Sequence, residues 1–354
     1  MSLDSFFDNK SILILDKSAK TENDRTWSFW SKQADVFDSI VHHQWPILSY
    51  LSDRIDLTKN VQPYLYKMIR GIDFYNFCLD HLQTCANIEL KTATISGYRE
   101  HEDQVTVATP ETVYHAYTVF KSYPEKLDAL PDHFIWQHFK GWIIQTPTES
   151  FDPDRAIFMD FRVDQGDETR FFYVLPISPT RALVAIAIFS EKIPEPSYYD
   201  RFIKSYISEK LDIDNYEILE EEVGAIPMTT HDFRSHDTDR IRGIGTNGGS
   251  VKASSGYAFT RIQKNTQRII QALKNGESFV GTHTRHDFYD KVMLNAIVTG
   301  KTTGKDVFDG LFRRVDVKTI LRFLDGEATV LDDLKVFTGP PTYPFLKAFV
   351  EELL

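Results

Sequence analysis

The chain has 354 residues, 42% hydrophobic and 26% charged, with 40 Lys or Arg against 51 Asp or Glu for a net charge of −11. That length exceeds a comfortable single core and leaves room for a large buried site within two interleaved domains. The acidic balance, with no basic patch interleaved with aromatics, excludes nucleic acid as a natural partner, and the ordinary hydrophobic fraction excludes a disordered chain.

Cys78 and Cys85 have neither CxxC spacing nor a nearby metal-ligand cluster, which points to free thiols in a reducing compartment. The longest strongly apolar run, Ala182 to Phe189, falls far short of the ~20 residues that span a bilayer, and no signal-peptide pattern follows Met1. A cytoplasmic protein is expected; an apolar substrate could bring it to a membrane surface, although the acidic balance argues against polybasic docking to anionic lipids.

Taken in order, Ser11 to Asp16 (SILILD) is a short apolar run ending in an acid. It reads as a buried parallel strand whose terminal Asp16 holds a ribose hydroxyl. In a dinucleotide fold such an acid follows a GxGxxG loop by about 20 residues. No glycine precedes Gly71, so the first strand and its phosphate loop are expected to be missing.

Asn23 to Trp30 (NDRTWSFW) crowds aromatics beside charge: Arg25 is a candidate adenosine or phosphate contact, and Trp27, Phe29 and Trp30 could wall an apolar cavity. Val41 to Leu51 reads as extended around Pro46, with Trp45 a further candidate lining residue. Apolar positions between Tyr64 and Ile88 approach helical spacing. β-branched alternation from Ile88 to Ser122 predicts a meander.

Strands are expected again from His133 to Thr146, Phe158 to Gln165 and Arg170 to Phe189, then a helix over Pro194 to Leu211. Asp160 and Arg162 stand two apart, either as a buried ion pair or as charge facing a cavity. Tyr216 to Met228 is a strand with Glu220, Glu221 and Glu222 in a row; alternation puts Glu221 opposite the other two. A carboxylate facing inward would have a raised pKa suited to acid chemistry.

Ile241 to Gln263 (IRGIGTNGGSVKASSGYAFTRIQ) reads as strand, glycine turn, helix start. Gly245, Gly248 and Gly249 allow close backbone approach, while Ser255 and Gly256 precede a helix N-terminus, so the stretch is a candidate cofactor cradle. Helices are predicted over Phe259 to Lys274, Asp287 to Thr299, Lys305 to Arg313, Val317 to Leu324 and Tyr343 to Leu353. Neither His231 with His236 nor His283 with His286 has ligand partners for zinc, so no metal is expected.

SILILDK, NDRTWSFW, MIRGIDFY, FMDFRVDQ, FFYVLPISPT, EEEVGAIPM, GTNGGSVKASSGYAF, RHDFYDKVML and RFLDGEATVLDDL, in that order, resemble the bacterial flavin-dependent lycopene β-cyclases across nearly the whole chain. The resemblance implies an α/β, FAD/NAD(P)-binding Rossmann-like flavoprotein fold carrying a mixed β-sheet substrate domain. Residues 1–40, 60–125 and 235–285 would form the FAD-binding part, and 41–59, 126–234 and 286–354 the substrate-binding cap. It further implies FAD working in its reduced form, NAD(P)H as reductant, lycopene or another acyclic carotenoid as substrate, and peripheral membrane contact. The reaction would be a redox-neutral cyclisation of ψ-ends to β-ionone rings. The family's acidic motif falls on Glu220 and Glu221, with Asp160 as a further carboxylate and Tyr257 among the lining residues.

Besides the absent glycine loop, the sequence departs from the pattern in one strand: LVAIAIFS places Ala185 and Ala187 where relatives commonly read LVExTxF. A carboxylate is lost there. The competing expectations are a flavin-dependent monooxygenase or reductase acting on another apolar substrate, and a catalytically silent carotenoid-binding protein.

Overall fold

A computed structural model describes residues 1–122, 131, 133–277 and 284–354. Its centre is a seven-stranded sheet in the order Glu217–Thr229, Phe134–Gln145, Arg181–Ser190, Thr169–Ser178, Arg155–Asp160, Ile47–Leu51 and Asp56–Asn60. All neighbours are antiparallel except Arg155–Asp160, which runs parallel to Ile47–Leu51. Successive side chains of a strand point to opposite faces, so each sequence supplies two surfaces.

One surface is a continuous apolar layer of Trp142, Ile144, Phe172, Val174, Val184, Ile186 and Ile188. It is covered by the helix Pro196–Leu211, which opens with Pro196 in its first turn and buries Tyr199, Ile203, Tyr206 and Ile207. Burying each such side chain contributes about 1.5–3 kcal/mol, which fixes the helix on that face. The other surface carries the alternate residues of the same strands and faces the candidate site. A three-stranded sheet of Thr26–Ser31, Leu65–Arg70 and His43–Trp45 stands beside it. Its Leu65–Arg70 strand occupies the start of the predicted helix, which instead begins at Gly71 and ends at Gln83.

Two parallel pairs carry the nucleotide-type elements. Ile12–Asp16 pairs with Ile88–Thr92, and Val119–Lys121 with Ile241–Gly243, each as a separate two-stranded sheet. Ile88–Thr92 is therefore not part of the meander, which comprises Gly97–Glu100, Val105–Ala108 and Val113–Ala116. Val105, Val107 and Ile241 form one apolar cluster with Leu15 and Val119, so the two pairs share a core. Every residue of Ile12–Asp16 is only half-buried, contrary to the buried strand expected, because the strand has one partner among the described residues.

The C-terminal third is helical: Arg285–Val298, Gly304–Arg314, Val317–Leu324, Val330–Phe337 and Thr342–Leu353. The helix Val330–Phe337, opened by a Thr329–Asp332 capping box, had no counterpart in the sequence reading because its apolar stripe points outward.

Asp160 lies on the helix-covered side of the large sheet and is fully buried. Arg162 binds its carboxylate through Nε and Nη2, at 3.0 and 2.7 Å, and Tyr206 donates to it at 2.6 Å while stacking on Phe172. The catalytic expectation for Asp160 is thereby corrected: a charge spent on the partly exposed Arg162 guanidinium and a buried phenol holds the helix to the sheet and faces away from the cavity. Asp160→Asn is expected to lower unfolding free energy by about 1–2 kcal/mol, since charge-assisted hydrogen bonds from Tyr206 and Arg162 become neutral ones. Urea denaturation measures this. Lost activity at unchanged stability would return Asp160 to the site.

Candidate active site

The cavity-facing side of the large sheet is built in rows. Across four strands the register aligns Tyr173, Ala185, Gly141 and Glu222. A second row aligns Phe171, Ala187, Phe139 and Gly224, and Gln137 stands opposite Ile226. Gly141 is required here: a Cβ would lie 2.9 Å from Leu183 Cδ1, 3.0 Å from Ala185 Cβ and 3.2 Å from Glu222 Cγ. Its absence lets the carboxylate arm lie flat along the sheet.

Above this floor is a cavity of about 400 Å³. Trp27, Tyr66, Tyr173 and Tyr257 supply aromatic wall, Ala185 and Ala187 open space, and Glu222 a carboxyl group. Burial pushes the Glu222 carboxyl up from the ordinary range, opposed by a hydrogen bond from Thr26 and helped by the charge of Glu220. Burial also raises the phenols, Tyr173 to about 12 and Tyr66 and Tyr257 further, so their rings act as neutral faces.

The neighbouring acids lie elsewhere. Glu220 accepts from Asn23 Nδ2 at 2.6 Å and lies 3.6 Å from Arg70 at the sheet edge. Glu221, on the opposite face as alternation requires, is half-exposed and ion-paired with Lys140 at 3.0 Å. The acidic row thus delivers Glu222 to the cavity, a residue whose position in the row was legible but whose role was not. Of the aromatics singled out, Trp27 and Tyr257 line the cavity. Phe29 packs with Ile69 and Phe259; Trp30 donates to the Leu321 carbonyl at 3.2 Å; Trp45 is fully buried and donates to the Pro176 carbonyl at 2.8 Å. These three are core, corrected by the needs of the small sheet and the helical layer.

The cradle forms as strand Ile241–Gly243, a short turn Gly245–Gly248 and helix Phe259–Asn275. Gly245, Gly249 and Gly256 adopt φ of 61°, 66° and 71°, a region that side chains disfavour. At Gly256 a Cβ would also collide with the Gln137 carboxamide. Gln137 Oε1 and Ser255 Oγ are buried without hydrogen-bond partners, and both residues line the cavity beside Gly256. Buried polar atoms left unpaired at a glycine cradle mark the place of a polar ligand. Gln137 carried no sequence signal beyond its strand.

A second cavity, of about 1050 Å³, adjoins the first through Pro227, Thr246 and Val251 and reaches Gly248 and Gly249. Arg261, Lys264 and Arg268 line it from successive turns of the cradle helix. Arg25 opens on the smaller cavity, its guanidinium held by Asp24 at 2.7 Å and lying over Trp27. Asp16 ends its strand, ion-paired with Lys20 at 3.2 Å.

No group of His, Cys, Asp and Glu suited to a metal occurs among the described residues, and His283 lies outside them. Cys78 and Cys85 are free thiols. No helix among the described residues is long and apolar enough to cross a membrane.

Solved structures with this architecture include three proteins of related design. The geranylgeranyl bacteriochlorophyll reductase-like protein of Thermoplasma acidophilum is 13% identical, with TM-score 0.53, covering 97% of this chain and 90% of its own. The p-nitrophenol 4-monooxygenase of Pseudomonas putida is 12% identical, with TM-score 0.55 and coverages of 98% and 92%. A flavin-dependent brominase is 12% identical, with TM-score 0.55 and coverages of 97% and 93%. At these identities the likeness establishes the fold: an α/β, FAD/NAD(P)-binding Rossmann-like flavoprotein architecture with a mixed sheet. No individually curated protein matches the sequence significantly. The family described as lycopene cyclase protein matches residues 8–350, nearly the whole chain, and the chain belongs to that family.

Proposed function

We propose that the chain is a flavin-dependent carotenoid cyclase in which Glu222 donates the proton to a ψ-end of lycopene or a related acyclic carotenoid. The observation that carries this reading is a carboxyl group biased toward its neutral form on the floor of a cavity walled by aromatic rings. Protonating an alkene requires a neutral acid, and the cation requires surroundings that stabilise it without capturing it as water does.

The Glu222 proton adds to the terminal double bond, forming a C–H bond and a tertiary cation. The neighbouring double bond attacks, closing the ring. A proton leaves the ring carbon for the Glu222 carboxylate, giving the β-ionone end with no net electron transfer. The faces of Trp27, Tyr66, Tyr173 and Tyr257 oppose the cation's charge and exclude water. FAD fits the cradle, where Gln137 and Ser255 offer unpaired polar atoms and Arg268 lines the adjoining cavity, while Arg261 and Lys264 are paired with Asp287 and Glu327. Held reduced by NAD(P)H, it would supply negative charge near the cation. The cradle and parallel strand pairs form the cofactor half, and the large sheet the substrate half. A water-insoluble substrate also calls for peripheral membrane contact.

Ala185 favours a second reading. It sits one register position from Gly141 and two from Glu222, so the carboxylate common in relatives would have stood beside the proposed acid. Binding of a carotenoid without turnover is the result to which that loss leads. Incubation with lycopene and NAD(P)H separates the readings: β-ring product supports cyclisation, unchanged bound carotenoid supports binding alone, and stoichiometric NAD(P)H consumption supports a monooxygenase or reductase.

Glu222→Gln is expected to lower cyclisation by ~10²–10⁴-fold while leaving flavin absorbance unchanged; wild-type rates would remove Glu222 from the mechanism. Its pH signature follows from the raised carboxyl. The stability that Glu222 contributes is full below the ordinary carboxylate pKa and is lost as pH rises through the raised folded-state value. Glu222→Gln should therefore gain stability relative to the parent as pH increases, as thermal melts across that range would show.

Ala185→Glu restores a like charge near Glu222, pushes both carboxyls up and is expected to increase turnover at neutral pH. It should also cost stability that reappears on acidification. Unchanged turnover and stability would show the position to be neutral. For the cofactor, no glycine turn stands between the two parallel strand pairs among the described residues, so FAD is expected to be held weakly. Quenching of flavin fluorescence on titration measures this, and tight stoichiometric binding would mean that other residues cradle the pyrophosphate.

A further inference from the structure

The two C-terminal helices both turn apolar residues outward. On Val330–Phe337 the exposed hydrophobic residues are Val330, Leu331, Leu334 and Phe337, with Leu331 70% exposed. Asp332 and Asp333 of the same helix are buried, where Arg322 takes the first at 2.9 Å and Arg285 the second at 2.6 Å. On Thr342–Leu353, Tyr343, Leu346, Val350 and Leu353 repeat at helical spacing on the exposed side, with Tyr343 77% exposed. Glu352 points inward to His133 and Lys291, at 2.6 and 2.7 Å, and Glu351 pairs with Lys301 at 2.7 Å.

Both helices touch the helix Arg285–Val298. Phe337 packs edge-on against Tyr289 with ring centroids 4.7 Å apart, and Phe349 packs edge-on against the adjacent Phe288 at 5.3 Å. A helix facing water turns its charges out and its leucines in. Here burying carboxylates costs desolvation that the arginines only offset, and the leucines gain nothing from water. That arrangement is stable when something other than water covers the outward face.

We propose that the outward faces of these two helices dock on the surface of a phospholipid bilayer. Three features select lipid as the occupant. The stripes are aliphatic with a tyrosine, the composition of a helix lying in the headgroup region. The exposed cations Lys335 and Lys347 flank them, while the acids of both helices are engaged by basic or histidine partners. The face is thus locally positive on a chain of net charge −11, which complements anionic headgroups. The proposal rests on the membrane contact put forward above and supplies its surface, but it needs no cyclisation: vesicle binding is read without carotenoid or cofactor, so either proposal can fail alone.

The test is flotation of the full chain with vesicles of phosphatidylcholine alone and mixed with phosphatidylglycerol. The wild type should float with both, more strongly with the anionic lipid. The double variant Leu334→Glu/Leu346→Glu should partition at least about tenfold less, because two exposed leucines lose their insertion into lipid. Both positions are exposed, and an unchanged melting curve confirms the fold; Leu331→Gln serves as a single-site variant should the double one misfold. Failure of the wild type to float, or equal flotation of a folded variant, overturns the proposal. So does a variant that converts a dimer to a monomer in sedimentation without altering flotation, which would make the face a contact between two copies of the chain.

Discussion

The seat of Glu222 on the cavity floor depends on Gly141 having no side chain. Gly141 stands between Ala185 and Glu222 in one register row, with no room for a Cβ among Leu183, Ala185 and Glu222. Gly224, one row further, is equally confined by the Phe139 ring. Two glycines and two alanines thus hollow one face of a sheet whose opposite face, from the same strands, is packed solid against a helix. The strands tolerate the glycines because the neighbouring ladders and the covered face hold them in place, so the loss of local propensity is met by tertiary packing. Position in this hollow, more than residue type, separates one carboxylate of the acidic row from the next.

Strand alternation was readable in the sequence, and so was the opposition of Glu221 to its neighbours. The cradle too was legible, because positive-φ turns require glycine and leave a pattern of Gly245, Gly249 and Gly256 ahead of a helix. Which of Glu220 and Glu222 enters the cavity was not, since both share a face. Distance along the strand decides it: Glu220 reaches Asn23 and Arg70 at the edge, whereas Glu222 faces the hollow. The aromatic cluster misled for a related reason. Trp27, Phe29, Trp30 and Trp45 look equivalent as residues, but indole N–H groups of Trp30 and Trp45 find carbonyls on other elements and become core. Such long-range partners leave no local trace.

Periodicity also hides helices built the other way round. Val330–Phe337 has amphipathic spacing, yet its polar side is the buried one, so a reading that assigns apolar residues to the core places it wrongly or passes over it. The exposure of its leucines and the enclosure of its aspartates are two views of one arrangement. Arg285 and Arg322, from other helices, make the enclosure tolerable.

The treatment of buried acids ties these regions together. Asp160 has Arg162 and Tyr206; Asp290 has Lys252 at 2.6 Å and the Ser254 hydroxyl at 2.6 Å; Asp332 and Asp333 have arginines. Each carboxyl group has partners that offset its desolvation, and each supports structure. Glu222 is handled differently: it takes a hydrogen bond from Thr26, while Arg25, which lines the same cavity, is held by Asp24 at 2.7 Å. Desolvation then favours the neutral acid. A carboxylate at position 185 would strengthen that bias by repulsion. In this chain burial, helped by the charge of Glu220, sustains it, so the proton-donating power of the site is governed by how well the aromatic wall keeps water from Glu222.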